Sequence, residues 1–193
     1  MGWGKYFRER SLNLERFMDD TWDHKPFLNE IVSVGHKDKE MLEVGCGNGT
    51  HSIFLSRLGY KVISIDNDEE VLNIARQNNA SFDGRVTFKE ADAYNLPFGG
   101  NRFAVCFSQG FFEHFDDHNI KKLLKEQLRV SNVVVFSVPT FYYPDQEFGD
   151  ERLISREDWL KILSEFAVDK AVYYCCGKGT QAKPSQIYFK LTK

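Results

Sequence analysis

The chain has 193 residues, of which 42% are hydrophobic, 27% charged and 15% aromatic, and its formal net charge at pH 7 is −3. This length fits one domain with a good core and is short for two, and a slightly acidic chain lacks the basic surplus that is typical of nucleic-acid-binding proteins. It contains no run of about 18 apolar residues and no apolar stretch of a signal peptide at its charged N-terminus, so we expect a cytoplasmic protein without a membrane span.

Residues 1–40 contain two runs of apolar residues at helical spacing. Residues 12–22 and 27–32 predict two helices, and Gly35 is expected to end the second. Because no strand pattern occurs here, we expect a helical arm outside the sheet. Residues 41–193 are then expected to form a single domain.

Three alternating glycines, Gly45, Gly47 and Gly49, follow a short apolar strand pattern at residues 41–44. Residues without a Cβ let the backbone turn tightly and let a ligand approach closely. A helical pattern starts at Thr50, and the free N–H groups at the start of a helix attract negatively charged groups. This arrangement predicts a nucleotide-like or carboxylate-bearing cofactor at the loop.

The side chain of Glu43, two residues before Gly45, distinguishes two classes of cofactor. Dinucleotide-binding loops have glycine or alanine where this chain has Thr50. Two like charges about 4 Å apart repel by roughly 1 kcal/mol in water and roughly 4 kcal/mol near a protein surface, so Glu43 disfavours a pyrophosphate. A ligand with both an α-ammonium and a carboxylate group, such as S-adenosylmethionine, fits Glu43 and the helix start better.

A second predicted strand, residues 61–66, ends in Asp66, which follows Gly45 by 21 residues. This separation spans one helix and one strand of a nucleotide-binding βαβ unit, and one carboxylate can accept hydrogen bonds from both hydroxyls of a ribose. Asp66 is therefore our candidate ribose ligand. Asp68 is expected to cap the next helix, which has two acidic residues in its first turn.

Strand and helix patterns continue to alternate along the rest of the chain. Strands are predicted at residues 85–89, 102–107, 133–138, 168–174 and 186–190, and helices at residues 69–75, 120–128 and 155–166. Such alternation is typical of a mostly parallel sheet with helices on both faces. We therefore predict an α/β fold, a three-layer αβα sandwich around a doubly wound, mostly parallel sheet of seven strands.

The four cysteines are not spaced as a metal site. Cys46 lies in the glycine loop, Cys106 in a predicted strand, and Cys175 and Cys176 are adjacent near the end of the chain. We expect reduced, mostly packed thiols and no metal.

Residues 43–50 resemble the first motif of the class I S-adenosylmethionine-dependent methyltransferases. Residues 90–98 resemble the adenine-reading segment of that family, and residues 108–115 resemble the loop that flanks the reacting methyl group. With the acid that ends the second strand, four motifs occur in the family's order over most of residues 41–138. Such a set is far more specific than the glycine loop alone.

The resemblance implies S-adenosyl-L-methionine as cofactor and S-adenosyl-L-homocysteine as product. It implies that Asp92 accepts a hydrogen bond from the exocyclic amine of adenine and that the backbone N–H of Ala93 meets the ring. Family members often cover the cofactor with an N-terminal arm; Trp3, Tyr6 and Phe7 are candidates here, although simple packing explains them too. The expected cofactor contacts are Glu43, Gly45, Cys46, Gly47, Asn48, Gly49, Asp66, Asn67, Asp92, Ala93, Ser108 and Gln109.

The segment 139–154 follows the fifth predicted strand, so it should emerge at the carboxyl edge of the sheet, where open α/β folds hold ligands. Loops of this length are usually functional or disordered, and the aromatic residues Tyr142 and Tyr143 argue against disorder. We therefore expect the segment to form one wall of the acceptor site, with Tyr142, Tyr143 and His114 as acceptor contacts.

An acceptor hydroxyl or ammonium group must lose a proton, and the candidates for the catalytic base are His114, Glu113 and Tyr143. His114 is favoured because its ordinary pKa lies near neutrality and because it follows the fourth predicted strand. A structural role for His114, at a helix start or in the packing of the loop, is an equally good interpretation.

Three functions remain open. The favoured one is a methyltransferase acting on a small molecule, because few residues lie outside the core fold to bind a macromolecule, and nucleic acid is disfavoured by the charge. The second is a non-catalytic, regulatory protein that binds S-adenosylmethionine, since a fold does not fix a function. The third is an NAD-dependent oxidoreductase, which Glu43 and Thr50 disfavour.

Overall fold

A sheet of seven strands runs through the part of the chain that the computed structural model describes, residues 2–143, 150–174 and 183–193. Its strands are β1 (Met41–Val44), β2 (Val62–Asp66), β3 (Thr87–Glu90), β4 (Cys106–Gln109), β5 (Val133–Pro139), β6 (Ala167–Tyr174) and β7 (Gln186–Thr192). Their order in the sheet is β3-β2-β1-β4-β5-β7-β6. The predicted number of strands is therefore confirmed.

The sheet is mixed, because β7 runs antiparallel to both of its neighbours, β5 and β6. The other neighbouring strands, from β3 across to β5, pair in parallel. Parallel neighbours that follow one another in the chain need a long crossover, usually a helix, and the sequence pattern between β6 and β7 contains none. A mostly parallel sheet was predicted correctly, whereas the reversed direction of β7 was not specified.

The described residues also form helices α1 (Trp3–Glu9), α2 (Leu14–Asp23), α3 (Lys25–Val34), α4 (Thr50–Arg57), α5 (Glu69–Ser81), α6 (Asp117–Val130) and α7 (Arg156–Ile162). The predicted cap of α5 is confirmed, since the Asp68 carboxylate accepts hydrogen bonds from the first turn. Ser155 caps α7 in the same way. None of these described helices has the length and apolar character that crossing a membrane requires.

Helices cover both faces of the sheet. Met41 and Leu42 are neighbours in β1 and therefore point to opposite faces. Met41 packs in one buried cluster with residues of α3 and α4, such as Ile31 and Leu55. Leu42 belongs to the other cluster, with residues of α6 and with Trp159 of α7. The predicted three-layer arrangement follows from these two clusters.

The N-terminal arm contains three helices where the sequence predicted two. The apolar residues of α2 at helical spacing predict a helix but do not fix which side packs, and Leu14, Met18 and Trp22 are in fact 54% to 69% exposed. Phe17 is the buried residue of α2 and stacks on Phe82. Helix α3 ends before Gly35, as predicted.

The fourth strand begins later than predicted. Residues 102–107 were expected to form it, but Phe103 makes only an isolated bridge to Ser131, and regular pairing begins at Cys106. Burial alone does not reveal where a ladder of hydrogen bonds starts. Residues 144–149 of the predicted acceptor-site segment, together with Cys175 and Cys176, lie outside the described residues.

Candidate functional site

A cavity of about 760 Å³ opens at the carboxyl edge of the parallel strands. Its lining combines the residues after β1, β2, β4 and β5 with residues of α1 and α2. This position and size are typical of a small-molecule site in an open α/β sheet. The sequence-predicted residues in its lining are Glu43, Gly45, Cys46, Gly47, Asn48, Asp66, Asn67, Asp92, Ala93, Gln109, Glu113, His114 and Tyr143.

The glycine loop has a backbone that other residues rarely adopt. Gly45, Gly47 and Gly49 have φ angles of 71°, 51° and 83°, values that lie in the left-handed region favoured by glycine. A Cβ on Gly45 would also meet the ring of Phe111, and one on Gly47 would meet the ring of Phe7. The loop therefore brings backbone without side chains close to the rings of Phe111 and Phe7, and it leads directly into α4.

The Glu43 carboxyl group lies under the first turns of α4 and is only 3% exposed. The hydroxyl groups of Ser52 and Ser64 donate hydrogen bonds to its Oε2, at 2.5 Å and 3.3 Å. Its Oε1 is 3.9 Å from Nδ1 of His51. Glu43 therefore reaches the cavity lining, as expected, but as a deeply buried group that also connects β1 to α4 and β2.

Burial raises the pKa of Glu43 from its ordinary 4.5 to about 8, against the lowering effect of the two serine hydroxyls. Its neighbours His51 and His24 are also buried, and burial lowers the pKa of both imidazoles. The two rings stand 5.0 Å apart, centroid to centroid. At neutral pH the ligand-free site therefore holds a protonated carboxyl group beside two neutral imidazoles.

The Asp66 carboxylate is fixed by backbone groups around it. The N–H of Asp68 donates to its Oδ1 at 3.1 Å. Burial raises the pKa of Asp66, while hydrogen bonds from the N–H groups of Asp68, Gly47 and Asn67 oppose this rise. A carboxylate held in this way beside the loop is oriented before any ligand arrives.

Asp92 and Ala93 form a further part of the lining, next to Tyr94. The backbone N–H of Tyr94 donates to Oδ1 of Asp92 at 2.8 Å, which fixes the direction of this side chain. A flat polar group such as a purine edge would meet one carboxylate and one backbone segment here.

Glu113 is the second deeply buried carboxyl group of the cavity, 3% exposed, within the short 3-10 turn Phe112–His114. Its Oε2 has no hydrogen-bond partner within the described part of the chain. Burial raises its pKa from 4.5 to about 8, and the nearby carboxylates of Glu151 and Asp150 act in the same direction. A buried acceptor atom without a partner is costly, which is typical of a group that serves a ligand.

His114, the neighbouring residue, is tied to two other segments. Its Nδ1 lies 2.9 Å from Oδ1 of Asp150, and its ring meets the edge of the Trp3 ring at 5.1 Å. It therefore connects the turn after β4 to α1 and to the segment before α7.

The chain is similar to known proteins in sequence and in fold. A family model described as a methyltransferase domain matches residues 41–132. The ubiquinone biosynthesis O-methyltransferase of Bartonella tribocorum is 32% identical over 46% of this chain and 38% of its own length. The glycine/sarcosine N-methyltransferase of Aphanothece halophytica is 24% identical over 79% of this chain and 53% of its own. The chain thus spans less than two thirds of either relative.

Magnesium protoporphyrin IX methyltransferase (ChlM) from Synechocystis PCC 6803, solved with bound SAH, has the same fold, with a TM-score of 0.70 and 14% identity over 95% of this chain and 89% of its own. Over residues 41–132 the chain thus resembles methyltransferase domains, and its fold is that of the Synechocystis enzyme. The family-model match covers β1 to α6, the part that supplies the glycine loop and the acids after β2 and β3.

Helices α1 and α2 bring residues to the cavity that the sequence did not single out. Arg16, Asp19 and Asp20 are spaced as one face of α2, and this spacing was the available signal. His24 and His51, to which the sequence assigned no catalytic role, also line the cavity. Other lining residues that were not predicted include Arg10, Tyr94, Phe111, Phe115, Glu151 and Gln186.

Three of the predicted cofactor and acceptor contacts lie outside the cavity lining. Gly49 caps α4 and lies against Phe88. Ser108 is fully buried on the opposite side of β4 from Phe107, because successive strand residues alternate between faces. Tyr142 is 41% exposed, and the ammonium group of Lys183 lies 5.2 Å from its ring.

The two buried carboxyl groups, Glu43 and Glu113, predict that the protein without a bound ligand loses stability between about pH 7 and pH 8. In this range Glu43 and Glu113 keep protons that the unfolded chain has already lost. The free energy of unfolding should therefore fall by up to about 1.4 kcal/mol per pH unit for each group. His24 and His51 do not contribute, because their pKa values are lowered and both are neutral in this range.

Urea unfolding across this pH range measures the slope. Glu43→Gln and Glu113→Gln, which keep the shape and remove the titration, should each flatten it by roughly half. A slope that is the same in the wild type and in both variants would contradict this assignment.

Proposed function

We propose that this protein is an S-adenosylmethionine-dependent methyltransferase that transfers a methyl group to a small-molecule acceptor. The observation that carries the proposal is one continuous cavity, in which the glycine loop and Asp66 adjoin a second region lined by Glu113, His114 and Tyr143. The names of the two curated relatives, which concern ubiquinone biosynthesis and glycine or sarcosine, support a small acceptor.

The glycine loop fits the amino-acid part of the cofactor. Its backbone lacks side chains at Gly45 and Gly47, and the N–H groups at the start of α4 suit a carboxylate. The α-ammonium group would lie on the Glu43 side, where it favours the ionised carboxylate. Binding at neutral pH would then release the proton that Glu43 holds in the ligand-free protein.

The remaining proposed cofactor contacts lie at the carboxyl ends of β2 and β3. Asp66 would accept from the ribose hydroxyls, and Asp92 and Ala93 would meet the adenine. Helix α1 would cover the bound molecule, because Phe7 lies over Gly47 and Arg8 forms an ion pair with Glu70 of α5.

A bound sulfonium supplies an electrophilic methyl group, so the chain itself has to orient the acceptor, exclude water and take a proton. We assign the proton to Glu113, whose Oε2 lacks a partner in the described structure. Its raised pKa of about 8 means that the ionised form, which is the base, is the minor form at pH 7 and that a bound cation increases it. His114, held by Asp150 and Trp3, would position the wall, and Tyr143 would contact the acceptor.

Binding of S-adenosylhomocysteine tests the cofactor assignment. Asp66→Ala should raise its Kd by about 10- to 100-fold, because two hydrogen bonds to a charged group are lost. Asp68→Ala is the matched control: it removes the cap of α5, at a cost of about 1 kcal/mol in stability, but its side chain lies outside the cavity, so the Kd should not change. Isothermal titration calorimetry measures both, and equal effects would contradict the assignment.

The two other functions give different results in simple assays. A ligand that binds the native state raises the melting temperature, so stabilisation by NAD(H) but not by S-adenosylmethionine would favour an oxidoreductase. Tight binding of S-adenosylmethionine without labelled methyl transfer to any fraction of a broad metabolite pool would favour a regulatory protein.

The aromatic pair in the acceptor-site segment provides a matched test of the acceptor wall. Tyr143→Ala should reduce labelled methyl transfer to the metabolite pool by about tenfold, as the loss of about 1.4 kcal/mol of aromatic contact predicts. Tyr142→Ala, on the exposed neighbour outside the cavity, should leave transfer unchanged. The proposed wall would be wrong if both variants were as active as the wild type.

A further inference from the structure

The cavity has a marked excess of carboxyl groups. Among the described residues, its lining contains seven carboxyl side chains, two arginines and no lysine. The carboxyl groups are those of Asp19, Asp20, Glu43, Asp66, Asp92, Glu113 and Glu151. Glu43, Asp66 and Asp92 belong to the proposed cofactor contacts, and the other four carboxyl groups lie outside those contacts.

These four groups come from separate segments of the chain. Asp19 and Asp20 belong to α2, whereas Glu113 and Glu151 belong to the turn after β4 and the segment before α7. We call these four residues the acceptor acids. A lining that is rich in carboxyl groups disfavours an anionic ligand and favours a cationic one.

Glu113 supplies an independent sign of a missing ligand. It is 3% exposed, lines the cavity and has an Oε2 atom without a partner in the described structure. The two arginines of the lining act elsewhere. Arg10 lies over the ring of Tyr6, and the charge of Arg16 lowers the pKa of Asp20. Both arginines are exposed, whereas Glu113 is buried.

Aromatic rings complete the surroundings of the acceptor acids. Phe111, Phe115, Trp3 and Tyr143 line the same cavity, and the rings of Phe111 and Phe115 are 4.9 Å apart. Ring faces attract cations, and the attraction grows where water is excluded.

We propose that the methyl acceptor is a basic amine, bound as its cation in the cavity that the acceptor acids line, with its nitrogen beside Glu113. This inference rests on the proposed methyltransferase function and names the class of its acceptor. An acceptor hydroxyl on an anionic molecule would meet the same acids unfavourably.

The transfer balances with the groups present. The ammonium form gives one proton to the Glu113 carboxylate, and the nitrogen lone pair then forms the new bond to the methyl carbon. The bond from that carbon to sulfur breaks, its electron pair stays on sulfur, and the sulfonium becomes a thioether. The methylated nitrogen leaves as a cation, and the proton on Glu113 passes to solvent.

The pKa shifts of two acceptor acids fit a cationic ligand. Burial raises the pKa of Glu113 to about 8, and the pKa of Asp20 is raised to about 6 by burial and by Asp23, against the lowering effect of Arg16. Burial favours the protonated form of a carboxyl group, and a bound ammonium group would favour the ionised form.

Three probes of similar size and different charge test the proposal on the protein loaded with S-adenosylhomocysteine. They are 2-phenylethylamine, 2-phenylethanol and 3-phenylpropanoate, and calorimetry measures their binding. The amine should bind at least about tenfold more tightly than the alcohol, which is 1.4 kcal/mol of charge interaction, and the acid should bind more weakly still. With labelled S-adenosylmethionine, only amines should accept the methyl group.

Two variants address the acceptor acids separately. Glu113→Gln removes a carboxyl group from the turn after β4, and Asp20→Asn removes one from α2. Each variant should weaken amine binding by about tenfold, while alcohol binding stays the same. Glu157→Gln, an exposed residue of α7 outside the cavity, is the control and should change neither. Asp20→Asn keeps the test valid if Glu113→Gln does not fold.

Binding of S-adenosylhomocysteine is measured first in each protein, so that the two proposals fail separately. Without this binding, the proposed function fails. With it, the amine proposal is overturned if the alcohol or the acid binds as tightly as the amine, if the amine does not bind, or if both acidic variants bind it like the wild type.

Discussion

The buried Glu43 carboxyl group is the constraint on which the rest of the site depends. It is the last residue but one of β1, lies beneath α4, and receives hydrogen bonds from Ser52 of α4 and Ser64 of β2. These bonds fix the first turns of α4 relative to the sheet edge, and so they also fix where the glycine loop lies. The two serine hydroxyls offset only part of the free-energy cost of burying a carboxylate. The carboxyl group of Glu43 therefore stays protonated until a cation binds.

The same principle extends along the cavity. Asp66, which backbone N–H groups hold in place, is oriented before a ligand binds, whereas Oε2 of the buried Glu113 has no hydrogen-bond partner in the described structure. A carboxylate that is already oriented can bind a neutral group such as a ribose, and a buried carboxyl group without a partner can bind a cation. Helices α1 and α2 also line the cavity, with Trp3 against His114 and with the acids of α2 in the same lining as Glu113.

The features that could be predicted from the sequence are those set by residues close together in the chain. The glycine loop, Asp66 and the cap at Asp68 are local patterns with a direct physical meaning, and the seven strands follow from alternation. The direction of β7 and the buried side of α2 depend on contacts between distant segments, which periodicity does not contain. For the same reason the sequence identified Glu113 as a candidate but did not reveal that Asp19, Asp20 and Glu151 line the same cavity. It also placed Ser108 and Tyr142 in the site, although the alternation of β4 and the exposure of Tyr142 put them outside it.

The central claim is that the glycine loop and Glu43 receive a zwitterionic amino-acid group. Calorimetry of S-adenosylhomocysteine binding near pH 7, in two buffers with different ionisation enthalpies, tests it most directly because it counts protons. With a Glu43 pKa of about 8 in the free protein, the wild type should release close to one proton on binding, and Glu43→Gln should release close to none. The claim would be contradicted if the wild type and the variant released the same number of protons, or if the ligand did not bind at all.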